Sequence, residues 1–597
     1  MTTTAKDSYL VIGALLDELV RCGMQHACTS PGSRNTPIVL SIARDERLQA
    51  WSHIDERASG FFALGAAKAS GRPVAVTCTS GTAAANLMPA VVEARYAAVP
   101  LIILTADRPP ELRDVGAGQT IDQLKLYGEN VKWFCELGVP EASQERLRWV
   151  RSLACRAYWT ALGDRPGPVH INIPLREPLV LARPLEVDEL HAGGRAGGRP
   201  WVSESHAGRL ATDLPEVVAE PELAGKRAVI IAGELGGARS EADWRAQGLR
   251  LAALAARAGV PLLADPLSGA RSGSAAIAHY DLLLRDPDSA AALTPEVIWR
   301  IGELPTSKPL RNWVAAADTA QHILLAPDER WSDPAARVGE RIVGSTDQLL
   351  CILESVYANS NSTSFSDSGW LQQWSTADSA VAHAIAAPLR DAGLSEPAAV
   401  TALAQLLPPD VTLVVGASMP IRDVEEFFPA LNEPLRVLAN RGANGIDGTV
   451  STALGAAATG AEVVLLLGDV TLVHDIGGLL AASRLGLKIT IVLLNNSGGG
   501  IFDFLPVSTQ GEAFTHHIAT PTGLDFSTAA QLYSLAHRQV TKVDELTEAL
   551  LGSVHGTGSA IIEVRTDRAT NRQLHADVEA TTLAARAPQA PTASSTY

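Results

Sequence analysis

The sequence predicts an α/β protein built from three doubly wound, parallel-sheet domains. Apolar runs rich in Val, Ile and Leu recur along the chain, and most are followed by a stretch with helical spacing. A chain of 597 residues, 46% of them hydrophobic and 19% charged, suits about three domains that each bury a core. We place these domains at residues 1–188, 200–357 and 370–570, and we expect a disordered tail at 571–597.

The first block alternates helices and strands, which is typical of a parallel sheet with crossover helices. Helices are predicted at 8–21, 58–69 and 83–97, and strands at 74–78, 101–105 and 169–173. The tight turn Ser80-Gly81-Thr82 joins the first of these strands to the next helix. This order predicts a βαβ unit within the block.

The middle block follows a Gly-rich boundary at 192–200 and repeats this layout. Its predicted strands are 228–232, 261–264 and 297–301, with a helix at 249–258. The segment 233–237 could form a nucleotide-binding turn, but it lacks the GxGxxG spacing and a downstream acid, so we interpret it as a strand-end turn. A polar run at 359–368 has the composition of a linker.

The third block has the same alternating layout as the first. Strands are predicted at 411–415, 463–467, 489–494 and 561–564. Gly468-Asp469 ends the second of these strands and begins a helical stretch that is predicted to reach Arg484. The third strand is followed by Asn495-Asn496 and a run of glycines.

Charge and cysteine content narrow the class of protein. The formal net charge of −16 argues against non-specific binding to nucleic acid or to an anionic membrane. The six cysteines form no CxxC pair, which suits free thiols in a reducing compartment. We see no signal peptide and no apolar run near the ~20 residues that cross a bilayer. We therefore expect a cytoplasmic enzyme without membrane insertion.

An acid and an amide lie where a parallel sheet places its ligands. Asp469 and Asn496 each follow a buried strand, and strand ends of open α/β sheets form the ligand crevice. Their hard oxygens suit magnesium, which takes its other ligands from phosphate. Gly-Asp alone would favour an ordinary turn. The whole pattern of strand, Gly-Asp, helix, strand, Asn-Asn and Gly favours a metal site.

This pattern resembles the metal- and diphosphate-binding motif of thiamine diphosphate (ThDP) enzymes, and the three domains are then expected to be of the ThDP-enzyme type. The resemblance implies that Asp469, the Asn496 side chain and the Gly498 carbonyl hold Mg²⁺, with Mn²⁺ as a substitute. Val470 stands where many of these enzymes have a small residue.

Glu56 is the candidate catalytic acid. ThDP chemistry needs a carboxyl group that is hydrogen-bonded to the pyrimidine ring. Such a group works best in a site that excludes water and so raises its pKa. Glu56 precedes an apolar helix in the first block, where the resemblance places this group. A helix-start glutamate favoured by the dipole is the alternative. The metal motif downstream favours catalysis.

Five basic residues follow strand ends or lie in Gly- and Pro-rich loops. They are Arg34, Arg108, Lys308, Arg422 and Arg441. A guanidinium fork matches a carboxylate, although any one of these residues could be a solvated surface charge. Five of them together indicate a substrate with several carboxylates.

Segments from all three blocks sharpen the resemblance. They include SPGSRNTP, HIDERASGFFALG, TSGTAAAN, LTADRPPELR, GASMPIRD, NRGANGIDG, GDVTLVHD and NNSGGGIFDFLP. Together they closely resemble the MenD family, the 2-succinyl-5-enolpyruvyl-6-hydroxy-3-cyclohexene-1-carboxylate (SEPHCHC) synthases of menaquinone or phylloquinone biosynthesis. The resemblance covers about residues 8–565.

The MenD resemblance implies a transferase that decarboxylates 2-oxoglutarate and joins the succinyl-semialdehyde carbanion to isochorismate in a Stetter-type 1,4-addition. The implied cofactor-binding residues are Glu56, Gly81, Ser418, Ile446, Gly468, Asp469, Val470, Asn496, Gly498, Gly499 and Ile501. The implied substrate-binding residues are Ser33, Arg34, Arg108, Gln119, Lys308, Arg422, Arg441, Ile501, Phe502 and Leu505. Gly118 and Pro309 depart from the family pattern, beside Gln119 and Lys308.

Three alternatives stay open beside this prediction, and the most distant of them is a nicotinamide- or flavin-binding enzyme, which the absorption spectrum would reveal. The chain could be another ThDP-dependent 2-oxoacid carboligase or decarboxylase, although a small keto acid would need fewer arginines. It could also be a non-catalytic relative, which the intact set of Glu56, Asp469 and Asn496 argues against. In ThDP enzymes of this build the cofactor lies between the first block of one chain and the third block of another. The resemblance therefore implies a homodimer, or a dimer of dimers, with active sites at the chain interface.

Overall fold

The structure, a computed structural model, describes residues 5–186, 189, 193–204, 226–237, 240–358 and 369–585. Within these residues the chain forms two compact units. The first falls in Met1–Arg209, Asn440–Val463 and Thr471–Ile489, and the second in Leu210–Ala439, Val464–Val470 and Thr490–Tyr597. The described strands form three parallel sheets, so the predicted fold class is confirmed.

The first unit contains a six-stranded sheet. Its strands are β1 His26–Thr29, β2 Gln49–Ser52, β3 Val74–Cys78, β4 Leu101–Asp107, β5 Trp133–Glu136 and β6 Val169–Pro174, in the order β2-β1-β3-β4-β6-β5. The central strands β3, β4 and β6 are buried along their whole length, as their β-branched sequences require. The short edge strands β2 and β5 are only partly buried and were not predicted.

The helices of the first unit cover this sheet or pack beside it. They are Ala5–Cys22, Thr36–Arg44, Glu56–Ser70, Thr82–Asn86, Met88–Tyr96, Gln144–Leu162, Thr449–Ala457 and Leu480–Leu485. The predicted single helix at 83–97 is wrong, because the helix is interrupted at Leu87. Pro89 has no N–H to continue the hydrogen-bond ladder, which explains the break.

Two helices of the first unit touch backbone to backbone. A Cβ added at Gly65 of helix Glu56–Ser70 would lie 1.9 Å from the carbonyl oxygen of Thr452. A Cβ at Gly455 of helix Thr449–Ala457 would lie 2.0 Å from the carbonyl oxygen of Phe62. Only glycine allows this approach, so the crossing fixes the position of the helix that begins at Glu56.

The second unit contains the other two sheets. The central sheet has the order β11-β10-β9-β7-β8, with strands β7 Ala228–Ala232, β8 Leu262–Ala264, β9 Val297–Ile301, β10 Gln321–Ala326 and β11 Glu340–Val343. The third sheet has the order β13-β12-β14-β15-β17-β16, with strands β12 Val411–Val415, β13 Arg436–Ala439, β14 Glu462–Gly468, β15 Thr490–Asn495, β16 Ala536–Val540 and β17 Ala560–Arg565. This strand order is the same as that of the first sheet.

The helices of the second unit surround these two sheets. They are Glu241–Ala258, Tyr280–Leu283, Pro287–Ala292, Lys308–Ala316, Thr346–Ala358, Trp370–Ala392, Glu396–Leu406, Met419–Phe427, Gly511–Phe514, Phe526–Leu532, Val543–Val554 and Arg568–Ala584. One continuous core of buried apolar side chains includes residues from both sheets, from Val229 of β7 to Val564 of β17. Among the described helices of the chain, none is both long enough and apolar enough to cross a membrane.

Two predictions about the third block are wrong. The stretch after Gly468 is not one helix: it forms helix Asp469–His474 and helix Leu480–Leu485, separated at a Gly-Gly pair. The tail predicted to be disordered from 571 instead forms helix Arg568–Ala584, with an Asp567 cap and the apolar side chains of Leu574 and Val578 buried. Residues 586–597, like the predicted linker at 359–368, lie outside the described residues.

Candidate active site

The candidate residues follow corresponding strands in the first and third sheets. All strands of each sheet are parallel, but the order in which successive strands are added changes direction between β1 and β3 in the first sheet and between β12 and β14 in the third. Such switch points form ligand crevices. Ser33 and Arg34 follow β1, Glu56 follows β2, Gly81 follows β3, and Arg108 follows β4. Ser418 and Arg422 follow β12, Arg441 and Ile446 follow β13, Asp469 follows β14, and Asn496 follows β15.

Asp469 is a buried carboxylate at the carboxyl end of β14. It is 1% exposed, and its Oδ2 has no hydrogen-bond partner in the described structure. Burial raises the pKa of Asp469 to about 6, although the N–H groups of Val470 and Gly498 donate to the carboxylate and oppose that rise. An oxygen that has lost water without gaining a donor is costly unless a cation binds it.

Asn496 supplies a second unpartnered oxygen. Because Gly468 of β14 lies opposite Leu494 of β15 in register, Asp469 and Asn496 leave adjacent strands at the same edge of the sheet. The Asn496 Nδ2 donates to Glu396 Oε1 over 2.8 Å, while its buried Oδ1 has no partner in the described structure. The amide oxygen is therefore available to a ligand.

The neighbouring Asn495 is satisfied on both sides. Its Nδ2 donates to Glu563 Oε1 over 2.7 Å, and its Oδ1 accepts the N–H of Ser497 over 3.2 Å. Of the two asparagines, only Asn496 keeps an oxygen for a cation. The role of Asn496 as a metal ligand stays a prediction.

The glycines after Asn496 form a tight loop. Gly498 has a φ of +138°, and a Cβ there would lie 2.5 Å from the carbonyl oxygen of Ala519. The Gly499 N–H donates to that same oxygen over 2.7 Å. The Gly498 carbonyl accepts the N–H of Gly500 over 3.0 Å and keeps its second lone pair.

This donor set fits a magnesium ion better than a transition metal. It consists of one carboxylate, one amide oxygen and one carbonyl, all of them hard oxygens. In the part of the chain that the structure describes, no group of three His, Cys, Asp or Glu side chains could hold a metal. A cation bound at Asp469 and Asn496 would take its other ligands from phosphate or water.

The other candidates of the second unit lie in loops or first turns. Ser418 has a left-handed backbone with φ +76°, and its carbonyl accepts Arg422 Nη1 over 2.6 Å. Burial lowers the pKa of Arg422, and the charge of Arg311 adds to that effect. Lys308 is exposed at the start of its helix, behind a Ser307 cap. Farther along, Ile501 is half-buried, while Phe502 and Leu505 are exposed.

In the first unit, Glu56 begins its helix behind an Asp55 cap. The Asp55 side chain accepts the N–H groups of Arg57 and Ala58, which leaves the Glu56 carboxylate free of that task. Glu56 is half-buried and lies close enough to the buried Cys78 for its charge to raise the pKa of that thiol, an effect second to burial. The geometry is consistent with either a catalytic or a helix-start role.

Gln119 and Arg108 both contact the Ser80-Gly81 turn. The Gln119 Nε2 donates to the Ser80 carbonyl over 3.0 Å, and Ser80 Oγ donates to the Gln119 carbonyl over 3.1 Å. Arg108 Nη1 donates to Ser80 Oγ. The Gly81 N–H is held by Gln123 Oε1 at 2.9 Å. The structure thus brings three predicted site residues together around one turn.

Arg34 lies near this group. Its Nη1 donates to the Leu175 carbonyl over 2.9 Å, and its Nη2 lies 3.3 Å from Glu177 Oε1. Its Nε is buried without a hydrogen-bond partner in the described structure. Burial lowers the pKa of Arg108, and the positive charge of Arg34 lowers it further. The carboxylates of Asp107 and Glu177 offset part of this effect, and the two guanidinium groups remain candidates for binding an anion.

The loop that carries Arg441 and Ile446 is anchored by Glu93. The buried Glu93 carboxylate accepts the N–H groups of Gly442 over 2.9 Å and Ala443 over 2.6 Å. At its other end the loop runs into helix Thr449–Ala457, where Ile446 accepts the Thr449 hydroxyl. Arg441 is half-buried in the anchored loop.

Comparison with known protein families matches three segments, which make up most of the chain, to the domains of thiamine pyrophosphate enzymes. Residues 11–126 match the N-terminal TPP binding domain, 196–415 the middle domain, and 422–564 the C-terminal TPP binding domain. A solved structure, the ThDP-dependent 4-hydroxybenzoylformate decarboxylase of Rhodococcus jostii RHA1, has a TM-score of 0.68 at 18% identity. It covers 93% of this chain and 99% of its own, and at this identity it supports the fold alone.

Curated relatives are more specific. The 2-succinyl-5-enolpyruvyl-6-hydroxy-3-cyclohexene-1-carboxylate synthase of Listeria monocytogenes is 40% identical over 569 residues, which cover 94% of this chain and 96% of the relative. The enzyme of the same name from Geobacillus kaustophilus is 42% identical over 577 residues, with the same coverage. That of Bacillus velezensis is 41% identical, covering 95% of this chain and 96% of its own.

The chain belongs to the SEPHCHC synthase family.

Membership in the SEPHCHC synthase family confirms the predicted ThDP-enzyme fold and the prediction of a transferase. The roles predicted for individual residues stay predictions, because the comparisons do not address them.

The sequence analysis missed several buried polar residues that hold the candidate site residues in place. Glu396, Glu93 and Gln123 each hold a candidate residue or its loop through hydrogen bonds. Asp475 caps helix Thr449–Ala457 from outside, accepting the N–H of Ser451 over 2.7 Å. A signal existed only for Gln123, which lies four residues after Gln119 in the same polar segment.

Proposed function

We propose that the chain catalyses the decarboxylation of 2-oxoglutarate and the addition of the resulting four-carbon unit to isochorismate, with CO₂ and SEPHCHC as products. ThDP and Mg²⁺ would be its cofactors, with Mn²⁺ as a substitute, and the product would enter menaquinone or phylloquinone biosynthesis. The observation that supports this most directly is the pair of buried, unpartnered oxygens on Asp469 and Asn496, in a chain of this family. They match the metal requirement of the proposed cofactor.

When bound, ThDP supplies a thiazolium carbon that adds to a keto group and accepts the electron pair released with CO₂. Asp469 Oδ2, Asn496 Oδ1 and the Gly498 carbonyl would hold the metal. Gly468, Val470 and Gly499 would lie along the diphosphate, because they flank these ligands in the chain. The metal bound at this edge of the third sheet would neutralise the charge of the diphosphate.

Glu56 would hold a proton at its carboxyl group and form a hydrogen bond to the pyrimidine ring. The capping by Asp55 supports this role, because it spares Glu56 from satisfying the helix N–H groups. Gly81, Ile446 and Ser418 would each contact the cofactor. These assignments rest on the family pattern and on the strand ends where the residues lie.

The basic residues would bind the carboxylates of the two substrates. Arg34 and Arg108 lie close together with unfavourable charge repulsion, which a substrate carboxylate would relieve. Recognition of the substrates would be completed by five further polar residues, Arg422, Arg441, Lys308, Gln119 and Ser33. An apolar wall of the substrate site would be formed by Ile501, Phe502 and Leu505. Both proposed substrates are dicarboxylates, in agreement with the number of basic groups.

We further propose a homodimer, or a dimer of dimers, in which the first block of one chain and the third block of another complete each active site. Exposed apolar side chains support this idea: Ile54, two residues before Glu56, is 64% exposed, and Val115, four residues before Gln119, is 67% exposed.

A cytoplasmic location is also proposed, because all six cysteines are free thiols.

A spectrophotometric assay tests the proposed reaction. Purified protein with ThDP and Mg²⁺ should consume isochorismate only when 2-oxoglutarate is present, and Glu56→Gln should abolish that loss. If isochorismate is untouched while pyruvate or 2-oxoglutarate releases CO₂, another ThDP-dependent carboligase or decarboxylase is the better description. No turnover of any 2-oxoacid would contradict the proposed function.

A further inference from the structure

Glu396 is a buried carboxylate in direct contact with a candidate metal ligand. It is the first residue of helix Glu396–Leu406 and is 1% exposed. Its Oε1 accepts Asn496 Nδ2 over 2.8 Å and the Thr566 hydroxyl over 3.0 Å. A glutamate that only favoured the helix dipole could remain in solvent, whereas this one is buried and directed at Asn496.

The contact determines which way the Asn496 amide faces. An amide has one donor end and one acceptor end, and Glu396 Oε1 already accepts a hydroxyl from Thr566. A carboxylate oxygen has no proton to donate and can only accept from Asn496, so the amide turns its nitrogen toward Oε1. The Asn496 oxygen then faces the opposite side, where it has no partner in the described structure.

The adjacent asparagine provides an internal comparison. Asn495 also donates to a buried glutamate, Glu563, but its oxygen is used by the N–H of Ser497. Both pairs have similar geometry and burial, yet only the pair of Glu396 and Asn496 leaves an oxygen available. A comparison of the two pairs can therefore distinguish a glutamate that orients a metal ligand from one that only stabilises the fold.

We propose that Glu396 is a positioning residue for the metal centre, which holds the Asn496 amide so that its oxygen faces the divalent cation. This inference rests on the proposed function, because it requires Asn496 to be a metal ligand. Groups that orient metal ligands typically change metal affinity by 10–100-fold when they are removed. Glu396 would act without contacting the cation.

The experiment measures Mn²⁺ affinity by electron paramagnetic resonance on the full-length protein with ThDP. Glu396→Asp keeps a buried carboxyl group but withdraws the acceptor by one methylene, and Glu396→Ala removes the acceptor. Both should weaken Mn²⁺ binding by about 10-fold or more. Glu396→Gln keeps a carbonyl acceptor at full length and should stay within about threefold of the unaltered protein.

Glu563→Asp is the matched control, because it shortens the equivalent partner of Asn495. It should leave Mn²⁺ affinity unchanged even where it lowers the melting temperature. Thermal melts and circular dichroism establish which variants are folded, and the Asp and Gln variants carry the test if Glu396→Ala does not fold.

Two results distinguish a failure of the proposed metal centre from a failure of the positioning role of Glu396. If the unaltered protein binds no Mn²⁺ with ThDP present, the metal centre itself is wrong and this inference falls with it. If the unaltered protein binds Mn²⁺ and Glu396→Asp binds it equally well, the metal centre stands and the positioning role is overturned. Equal loss in Glu396→Asp and Glu563→Asp would also overturn it, because it would reflect general destabilisation.

Discussion

Asn495 and Asn496 are neighbours in the chain, yet their side-chain oxygens have different surroundings. The oxygen of Asn495 accepts a backbone N–H, and that of Asn496 accepts nothing in the described structure. A satisfied polar group stabilises the fold, whereas a buried unsatisfied one costs free energy until a ligand binds it. This distinction at single atoms yields a prediction for each residue.

Asn496→Ala should weaken Mg²⁺ binding, because it removes an oxygen that the fold does not use, and it should lower the free energy of unfolding by about 1–3 kcal/mol, because the buried Glu396 loses a donor. Asn495→Ala should leave the KM for Mg²⁺ unchanged and lower the free energy of unfolding by a similar amount, about 1–3 kcal/mol, because the buried Glu563 loses one of its donors and keeps His537 and Arg565. Mg²⁺ titration of activity and urea unfolding measure the two effects. The same KM shift in both variants would contradict the assignment.

Arg34 and Arg108 provide a second prediction at this scale. Arg108→Ala should raise the KM for at least one substrate by about 10-fold or more, because it removes a charge-assisted bond to a carboxylate. Arg176→Ala is a matched control, since Arg176 pairs with Glu111 in a more exposed setting. Steady-state kinetics with each substrate varied in turn makes the comparison. Equal KM values for both variants would argue against carboxylate binding by Arg108.

At the scale of elements, the crossing of helices Glu56–Ser70 and Thr449–Ala457 has no space for a side chain. Gly455→Ala would place a Cβ 2.0 Å from the Phe62 carbonyl oxygen and should lower the melting temperature by several degrees. Gly552→Ala is the control, because it lies in a helix with no atom within 4 Å of the added Cβ. It should be neutral or stabilising, by up to about 1 kcal/mol. Equal melting temperatures for the two variants would contradict the close packing.

The C-terminal helix Arg568–Ala584 carries a buried histidine between two acids. His575 Nε2 lies 3.4 Å from Asp423 Oδ1, and Nδ1 lies 3.6 Å from Glu426 Oε1. Although burial lowers the pKa of His575, the two carboxylates outweigh it and raise that pKa to about 10. The charged histidine thus attaches this helix to helix Met419–Phe427.

This ion cluster predicts a pH dependence of stability. The folded state holds the His575 proton more tightly than the unfolded state, whose histidine has an ordinary pKa near 6.5. The stabilising contribution is therefore complete below about pH 6.5 and is lost as the pH rises toward 10. The melting temperature should fall over this range, and by less in His575→Gln. An equally steep fall in that variant would assign the effect to other groups.

The strands could be predicted because their signals are local. Runs such as 411–415 and 228–232 are continuous and β-branched, and they form strands with these same bounds. The helix at 568–584 was missed because its few apolar residues are spread through Ala and Thr. Glu396 and Glu93 could not be found, since their partners lie 100 and 349 residues away in sequence.

At the scale of the whole molecule, subunit complementation tests how the proposed dimer builds its sites. Glu56→Gln and Asp469→Ala chains should each be inactive alone. If each site combines Glu56 of one chain with Asp469 of another, refolding an equal mixture should restore about a quarter of the unaltered activity through mixed dimers. Light scattering verifies the dimer. A mixture without activity, despite verified mixed dimers, would place both residues of a site in the same chain.

The shared strand order of the first and third sheets has a consequence for ancestry. Both sheets have the order 2-1-3-4-6-5, counted within each block, and the predicted site residues follow the first four strands of each. Duplication of one domain would produce this correspondence, and so would the small number of topologies that parallel sheets favour. If the blocks arose by duplication, equivalent strand ends have since taken different predicted roles: the candidate acid lies in the first block and the candidate metal ligands lie in the third.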